Sequence, residues 1–317
     1  MGSLVSVVIV NWNGLKYLRE CLDSLFAQSY ANREIILVDN ASTDGSPDFI
    51  RKNYPMVKVI ESSSNLGFAG GTNRGIKEAK GELIALFNQD AVADKNWLEI
   101  LVKAVNSSND IAAVAGKIFY WGDEQERKKV FCTWPKVDPR KALAYNFFDE
   151  RPAADVDYLP GCAMLIKKKA LDEVGLLDED YFLYFEETDW CARAIMAGYR
   201  LVYVPDAKAW HVVSGSIGSG AKLSYIMRNR VRFALKNFDS SYLPVFVVEF
   251  TKETYKMMIN GIHGQGFDDF IVRMKALFWN GFHLIGTLKA RRRDLSRIAN
   301  RKSYNRSLPL SNIEWEY

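Results

Sequence analysis

Four apolar runs in the first ninety or so residues each end on polar side chains, and helical periods separate them. SVVIVNW, REIILVDNAS, VKVIES and ELIALFNQDA read as strands. Between them, LKYLRECLDSLFAQS sets Leu15, Leu18, Leu22, Leu25 and Phe26 at helical spacing, and SPDFIRKNY offers Ser46 as N-cap with Pro47 at the first helical position. GGTNRGIKEAKG and NWLEILVKAVNSS continue the alternation as helices, and IAAVAGKIFY adds a strand. Strand–helix alternation of this kind implies an α/β chain with a mainly parallel sheet and helices on both faces. A ligand then belongs beyond the carboxyl ends of the strands.

Those ends are where the polar residues collect. Asn11 and Asn13 follow the first strand, Asp39, Asn40 and Asp44 the second, Asn65 the third, and Asn88 and Asp90 the fourth. One such case is ordinary turn chemistry; four at one rim point to a site. Asn88 and Asp90, two apart, would share a face if the strand continued, which suits either a metal ion or the start of a turn.

The pattern lapses over 121–156, which reads as an insertion or loop over the rim. YLPGCAMLIKK is then a strand, KALDEVG a helix stopped by Gly175, YFEETDWCARAIMAGYR a helix with Gly198 at its C-cap, and LVYVPDAKAWHV a strand. After Gly220 the chain becomes helical and basic. The net charge of +4 hides this split: residues 1–215 hold 25 Lys and Arg against 30 Asp and Glu, and residues 216–317 hold 17 against 8. The expected organisation is a ligand-binding domain over 1–216 and a basic amphipathic helical region over 217–317. Basic residues beside aromatic-apolar helices, with Arg228, Arg230 and Arg232 in one and Lys289 and Arg291 to Arg293 ending another, suit an anionic membrane surface; the alternative is helices packed on the first domain. Nucleic acid is not expected as a partner.

The start, MGSLVSVVIV, reads as a first strand rather than a secretory leader, and no apolar run has the roughly 18–20 residues that span a bilayer. Cys21, Cys132, Cys162 and Cys191 are far apart and form no C-x-x-C pair, so reduced buried thiols are expected.

NLGFAGGTNRGI is not a dinucleotide fingerprint, because its glycines do not give G-x-G-x-x-G. They would still let backbone approach a ligand, with Asn73 and Arg74 on the following helix. YFEETDWCAR crowds Glu186, Glu187 and Asp189 into one helical turn after the aromatic approach YFLYF. Helix dipoles favour acids there, but aromatic surroundings would also raise a carboxyl's pKa and make it a general base. Residues 186 and 187 should point in different directions, leaving one base. His211, ending an apolar strand, could join Asp90 as a metal ligand.

VSVVIVNWNG, ILVDNASTDGS, NLGFAGGTNRGI, LFNQDA, PGCAMLIKK, FLYFEETDWCARAIMAGYR and WHVVSGS together resemble the family 2 inverting glycosyltransferases of GT-A fold, and most nearly the bacterial rhamnosyltransferase-like members. The resemblance covers roughly residues 4–216. It implies a Rossmann-like GT-A domain, here with a C-terminal helical extension, that binds a nucleotide-diphosphate sugar. Asp39 would accept from N3–H of uracil or thymine; Asn11, Asn13 and Asp44 would sit near the nucleotide, and Asn65, Gly67, Asn73 and Arg74 beside base and diphosphate. Asn88-Gln89-Asp90 takes the place of D-x-D, so Asp90 and His211 would hold Mn²⁺ or Mg²⁺, with Asn88 in place of a charged ligand. Glu187 would be the base, and Asp189 with Arg193 would shape the acceptor side or brace the helix. The implied activity is transfer of a sugar, L-rhamnose from dTDP-rhamnose in the first instance, to a cell-surface glycan or lipid-linked precursor. UDP-hexose or UDP-N-acetylhexosamine donors are the alternative, and a catalytically silent glycan- or partner-binding module is the reading of another class. The expected place is the cytoplasm, with peripheral contact on the inner membrane face.

Overall fold

The computed structural model describes residues 2–212, 219–239, 241–262 and 267–299. The first half alternates as its periodicities require: β1 (Val5–Asn11), α1 (Leu15–Phe26), β2 (Arg33–Asp39), α2 (Ser46–Asn53), β3 (Lys58–Glu61), α3 (Gly67–Lys77), β4 (Leu83–Asn88), the short β5 (Ala91–Ala93), α4 (Trp97–Val105) and β6 (Ile111–Tyr120). Ser46 is the first residue of α2 rather than its cap; Gly45, in the left-handed region at φ 84°, precedes it. Helix α3 begins at Gly67, three residues before the expected start.

Residues 121–156 are not a bare loop. They hold β7 (Val130–Cys132), β8 (Lys136–Asp138), β9 (Leu143–Tyr145) and β10 (Ala154–Asp155), with β8 and β9 paired as a separate antiparallel ribbon. Trp134 and Val137 are buried in the main core, which is why the segment is ordered. The chain continues through β11 (Ala163–Lys167), α5 (Lys168–Val174), α6 (Glu186–Met196) and β12 (Arg200–His211).

The large sheet has the order β10-β12-β6-β11-β4-β1-β2-β3. The pairs β4–β1, β1–β2, β2–β3 and β12–β6 are parallel, but β11 runs antiparallel to both β4 and β6, so the sheet is mixed. An apolar run such as CAMLIK carries no mark of direction, so its reversal was invisible in the sequence. Strand order reverses between β1 and β4, and a crevice at the carboxyl ends of these strands is where open α/β sheets bind ligands.

Alternating side chains of β1 and β4 feed two cores. Val5, Val7, Ile9, Leu83, Ala85 and Phe87 pack with the buried faces of α1 and α4; Val8, Ile84 and Leu86 pack with α3, α5 and α6. Helix α3 lies against the sheet because it is glycine-rich: a Cβ on Gly75 would come 2.4 Å from Val8 Cγ1. All four cysteines are free and buried, as expected.

The chain then runs through α7 (Ser219–Asn237), α8 (Tyr242–Ile262), α9 (Phe267–Phe282) and α10 (Leu284–Ile298). The expected boundary at 216/217 lies outside the described residues. Beyond it, Val231, Phe233, Phe238, Phe246, Phe250 and Ile298 join the same core as α3 and α6. Among the described residues no helix is long and apolar enough to cross a membrane.

Arg230, Arg232 and Lys236 of α7 do not face outward, which corrects the expected role of the α7 arginines on a membrane. Arg230 and Arg232 are 1% exposed and Lys236 2%. Arg230 pairs with Glu253 at 2.7 Å. Arg232 reaches Asp178 at 2.9 Å and Asp180 at 2.6 Å. Buried charges need such partners, since an unpaired charge out of water costs several kcal/mol by order of magnitude.

Candidate active site

A hollow opens at the carboxyl ends of β1 and β4 and has two adjoining lobes. The first, about 350 Å³, is lined among others by Trp12, Asn40, Asn65, Gly67, Asp90 and Tyr225. The second, about 200 Å³, is lined among others by Phe131, Tyr158, Tyr184, Glu186, Glu187 and His211. Phe68, Asn88 and Leu183 belong to both.

The seam between the lobes is built by strand register. Strand β4 ends at Asn88, and the chain turns through Gln89 and Asp90 into β5, which pairs antiparallel with β12 so that Ala91 faces His211. Asn88 and Asp90 therefore do not share a strand face, yet both reach the hollow. The carboxylate of Asp90 lies 3.2 Å from His211 Nε2, and Asn88 Nδ2 lies 3.1 Å from the same nitrogen. Gln89 ties this lip to β1, its Oε1 accepting from Trp12 N at 2.8 Å.

Carboxylate oxygen, imidazole nitrogen and an amide at this spacing form a donor set that fits a divalent cation. Six buried polar atoms without a hydrogen-bond partner cluster around this hollow: Asn11 Oδ1, Asn40 Oδ1, Asn88 Oδ1, Glu186 Oε2, Glu187 Oε2 and His211 Nδ1. Unsatisfied buried polar atoms are uncommon, and a group of them marks a place where ligand supplies the missing bonds. A second acidic trio, Asp178, Asp189 and Asp294, is different. The Lys236 ammonium sits among the three at 2.7, 2.9 and 2.9 Å, so a cation already fills that cluster.

The acidic turn enters α6 by a strained route. Phe182, Tyr184 and Phe185 have φ of 64°, 67° and 76°, conformations that non-glycine residues adopt at a cost of order 1–3 kcal/mol each. Gly67 faces this turn: its own φ is 70°, and a Cβ there would fall 2.3 Å from Phe182 O. Burial followed by the charge of Glu187 pushes the Glu186 carboxyl well above the ordinary range. Burial also raises Glu187, but backbone N–H groups at the helix start and a hydrogen bond from Glu186 oppose that rise. Two like charges in one desolvated lobe cannot both form easily. The arrangement favours a protonated Glu186 donating to an ionised Glu187. The expectation that 186 and 187 diverge is corrected: both line the second lobe.

Asn65, Gly67, Asn88, Asp90, Glu187 and His211 thus meet in one hollow. Other expected positions stand behind it. Asp39 is 2% exposed, accepting from Asn11 Nδ2 at 2.7 Å and Ser42 N at 2.9 Å. Asn13 accepts from Thr43 N, and Asp44 accepts from Leu15 N, both at 2.8 Å. Ser42 joins three of these segments, its Oγ accepting from Asn11 Nδ2 at 3.1 Å and Asn13 N at 2.9 Å while its N–H donates to Asp39. Arg74 donates to Ser62 Oγ and does not line the hollow.

Two expectations need correction. Asn73 is buried and turned away, its amide donating to Leu177 O and Glu179 at 2.9 Å. Asp189 is fully buried, held by Arg193 at 2.8 Å, Lys236 and Asn237 Nδ2 at 2.9 Å, and Tyr181 Oη at 3.2 Å. It braces α6 and has no access to substrate, so the catalytic part expected for it falls away. Trp12, Asn146, Tyr158 and Tyr225, which also line the lobes, were not singled out from the sequence, while Asn40, Gln89 and Glu186 were noted there without a role of their own. Asn40 stood out as a strand-end residue and Gln89 as the middle of Asn88-Gln89-Asp90; Tyr225 lies on a helix that gave no such signal.

Residues 6–175 match the family model described as Glycosyl transferase family 2. Glycosyltransferase GlyG of Streptococcus pneumoniae serotype 4 is 33% identical over 214 residues, covering 65% of this chain and 69% of that protein. The N-acetylglucosaminyl-diphospho-decaprenol L-rhamnosyltransferase of Mycobacterium tuberculosis is 26% identical over 243 residues, covering 69% and 79%. Among solved structures, GalNAc-T7 with UDP, GalNAc and Mn²⁺ superposes with a TM-score of 0.63 at 19% identity, over 77% of this chain and 49% of that one.

Proposed function

The chain belongs to glycosyl transferase family 2, and on that premise we propose that its two lobes hold the two substrates of an inverting sugar transfer. The first lobe takes a nucleoside-diphosphate sugar, with the pyrimidine on the Asp39–Asn40 side and the diphosphate toward Asp90 and His211. The second takes the acceptor hydroxyl against Glu187. The observation that carries this reading is the shared wall: Asn88, Phe68 and Leu183 line both lobes, so a sugar C1 leaving the first lies next to a hydroxyl entering the second. Residues before 213 supply the second lobe and most of the first, and α7 adds Ala221 and Tyr225 to the first lobe's wall.

Asp90 and His211, with the Asn88 amide, would hold Mn²⁺ or Mg²⁺. Bound there, the ion would offset the charge that gathers on the departing diphosphate. With one carboxylate in the set, the ion depends on donor oxygens to complete its shell. Glu187 takes the acceptor proton as the oxygen attacks C1 from the face opposite the leaving group; a single displacement of this kind inverts the anomeric centre. Glu186, keeping its own proton, holds Glu187 in the ionised form.

For the donor we favour dTDP-L-rhamnose, supported by the rhamnosyltransferase relative; the UDP of GalNAc-T7 supports uridine donors, and uracil and thymine present the same N3–H edge. A panel of dTDP, UDP and GDP sugars with and without Mn²⁺ should raise the thermal midpoint for one base and do so more strongly with the ion, because ligand bound to the native state stabilises it by mass action. No shift with any donor would reject the first-lobe assignment.

The acceptor is a glycan or lipid-linked precursor at a membrane face. The contact surface lies on α9 and α10, not on the arginines of α7. Phe278, Phe282 and Ile285 are 66%, 87% and 69% exposed, and Met274, Leu277, Phe278, Gly281 and Phe282 line a groove of about 480 Å³. From residue 270 to 293 there is no acid, while Lys275, Lys289 and Arg292 are exposed. An apolar ridge rimmed only by cations complements anionic lipid. The protein should float with phosphatidylglycerol vesicles at low salt, and Lys289→Glu with Arg292→Glu should abolish flotation. No flotation, or a dimer that buries the ridge, would overturn this contact.

A further inference from the structure

Helix α7 lies after the matched family region, yet it grips the turn that delivers the acids. Asn229 is fully buried. Three backbone carbonyls share the two N–H groups of its Nδ2: Tyr181 at 3.0 Å, Leu183 at 2.8 Å and Tyr184 at 2.7 Å. Its neighbour Arg228 donates from Nη2 to Tyr181 O at 2.6 Å and Asp180 O at 3.1 Å. The guanidinium is itself fixed between the Tyr225 and Trp279 rings, at 4.9 and 4.5 Å. Asn280 Nδ2 holds the Arg228 carbonyl at 2.9 Å.

The gripped carbonyls belong to a stretch of five residues, 181–185, in which three non-glycine residues sit at positive φ. Such a conformation persists only where its surroundings over-determine it. From the opposite side, α3 donates Phe68 N to Phe182 O at 2.7 Å. The turn is therefore held between α3, which starts at the donor lobe, and α7. It ends at Phe185, directly before Glu186 and Glu187, with no side-chain cap to set the helix start. Its direction sets where Glu187 points.

We infer that Asn229, assisted by Arg228, is a positioning residue for transfer: it holds the 181–185 turn in the strained form that aims Glu187 at the acceptor lobe. The inference rests on the reading of Glu187 as base. Asparagine suits the task because its amide offers two N–H groups without a charge, and the carbonyls it meets would repel a carboxylate.

In the full chain, Asn229→Ala should lower kcat for transfer by about 10-fold to 10²-fold, the scale on which small misplacements act. Affinity for the donor nucleotide, read by calorimetry, should stay within about threefold. Added to Glu187→Gln, the same change should alter residual transfer by less than about twofold, because both act through one group. Arg228→Met, which removes two of the five bonds, should give a smaller loss of the same kind and decides the matter if Asn229→Ala does not fold. Unchanged kcat, a parallel loss of donor affinity, or additive losses in the double variant would overturn the positioning role. Full transfer by Glu187→Gln together with a loss in Asn229→Ala would instead sink the base assignment and leave the grip on the turn standing.

Discussion

Glu187→Gln is expected to leave donor binding intact and to lower transfer by at least about 10²-fold, the usual contribution of a positioned general base. Gln keeps the shape and can still accept from Glu186, so the loss isolates the proton-accepting step. The pH profile gives a second reading of the same group. Burial holds the Glu187 carboxyl above its ordinary value, and the base must be ionised to work. Transfer in the wild type should therefore rise with pH through a midpoint above about 4.3, the unperturbed glutamate value. In Glu187→Gln the residual rate should lack that limb. A variant that keeps both the rate and the limb would place the base elsewhere, with Glu186 the first group to test.

Lys236→Met is expected to cost about 3–5 kcal/mol of stability, the scale for removing one partner of a buried ion cluster. Its ammonium joins four parts of the chain: Asp178 from the loop before α6, Asp189 within α6, and Asp294 in α10, all held from α7. Methionine preserves much of the volume but leaves three buried carboxylates with fewer cations. Burial would raise the Asp178 carboxyl, but Lys236 and Arg232 outweigh burial and hold it well below the usual range. Asp189 is lowered against its burial in the same way by Lys236 and Arg193. Groups with depressed folded pKa values contribute stability above their unfolded value of about 3.9 and lose it as pH falls through the folded value. The gap between wild type and Lys236→Met, measured by denaturant unfolding, should be widest near neutrality and should narrow below about pH 4. An equal gap at all pH values would mean that packing, not charge, accounts for the loss.

The two variants sit at opposite ends of what the sequence could tell. The rim of the sheet was legible because an apolar run that stops at Asn88 or Asp39 marks both a strand and its end. His211 could be offered as a partner of Asp90 on ligand chemistry, but its nearness could not be read, since the two lie 121 positions apart and strand pairing brings them together. Helix α7 was misread for a physical reason. Arg230, Arg232 and Lys236 look like surface charges at helical spacing, and the acids that bury them lie 23 to 58 positions away. Asp189 shows the same limit, because a helix-start acid looks alike whether it meets water or a lysine. The 121–156 segment defeated periodicity because its strands are two or three residues long. Asn229 left no trace in the pattern at all: its partners are backbone carbonyls, which every sequence has.

The central claim is that donor diphosphate and acceptor base face one another across Asn88. The most direct test is a crystal of the protein soaked with a pyrimidine nucleoside diphosphate and Mn²⁺. The account predicts an anomalous manganese peak in contact with Asp90 and His211, with the diphosphate against it and Glu187 open toward the terminal phosphate. A nucleotide bound elsewhere, or a peak seated among Asp178, Asp189 and Asp294, would contradict it.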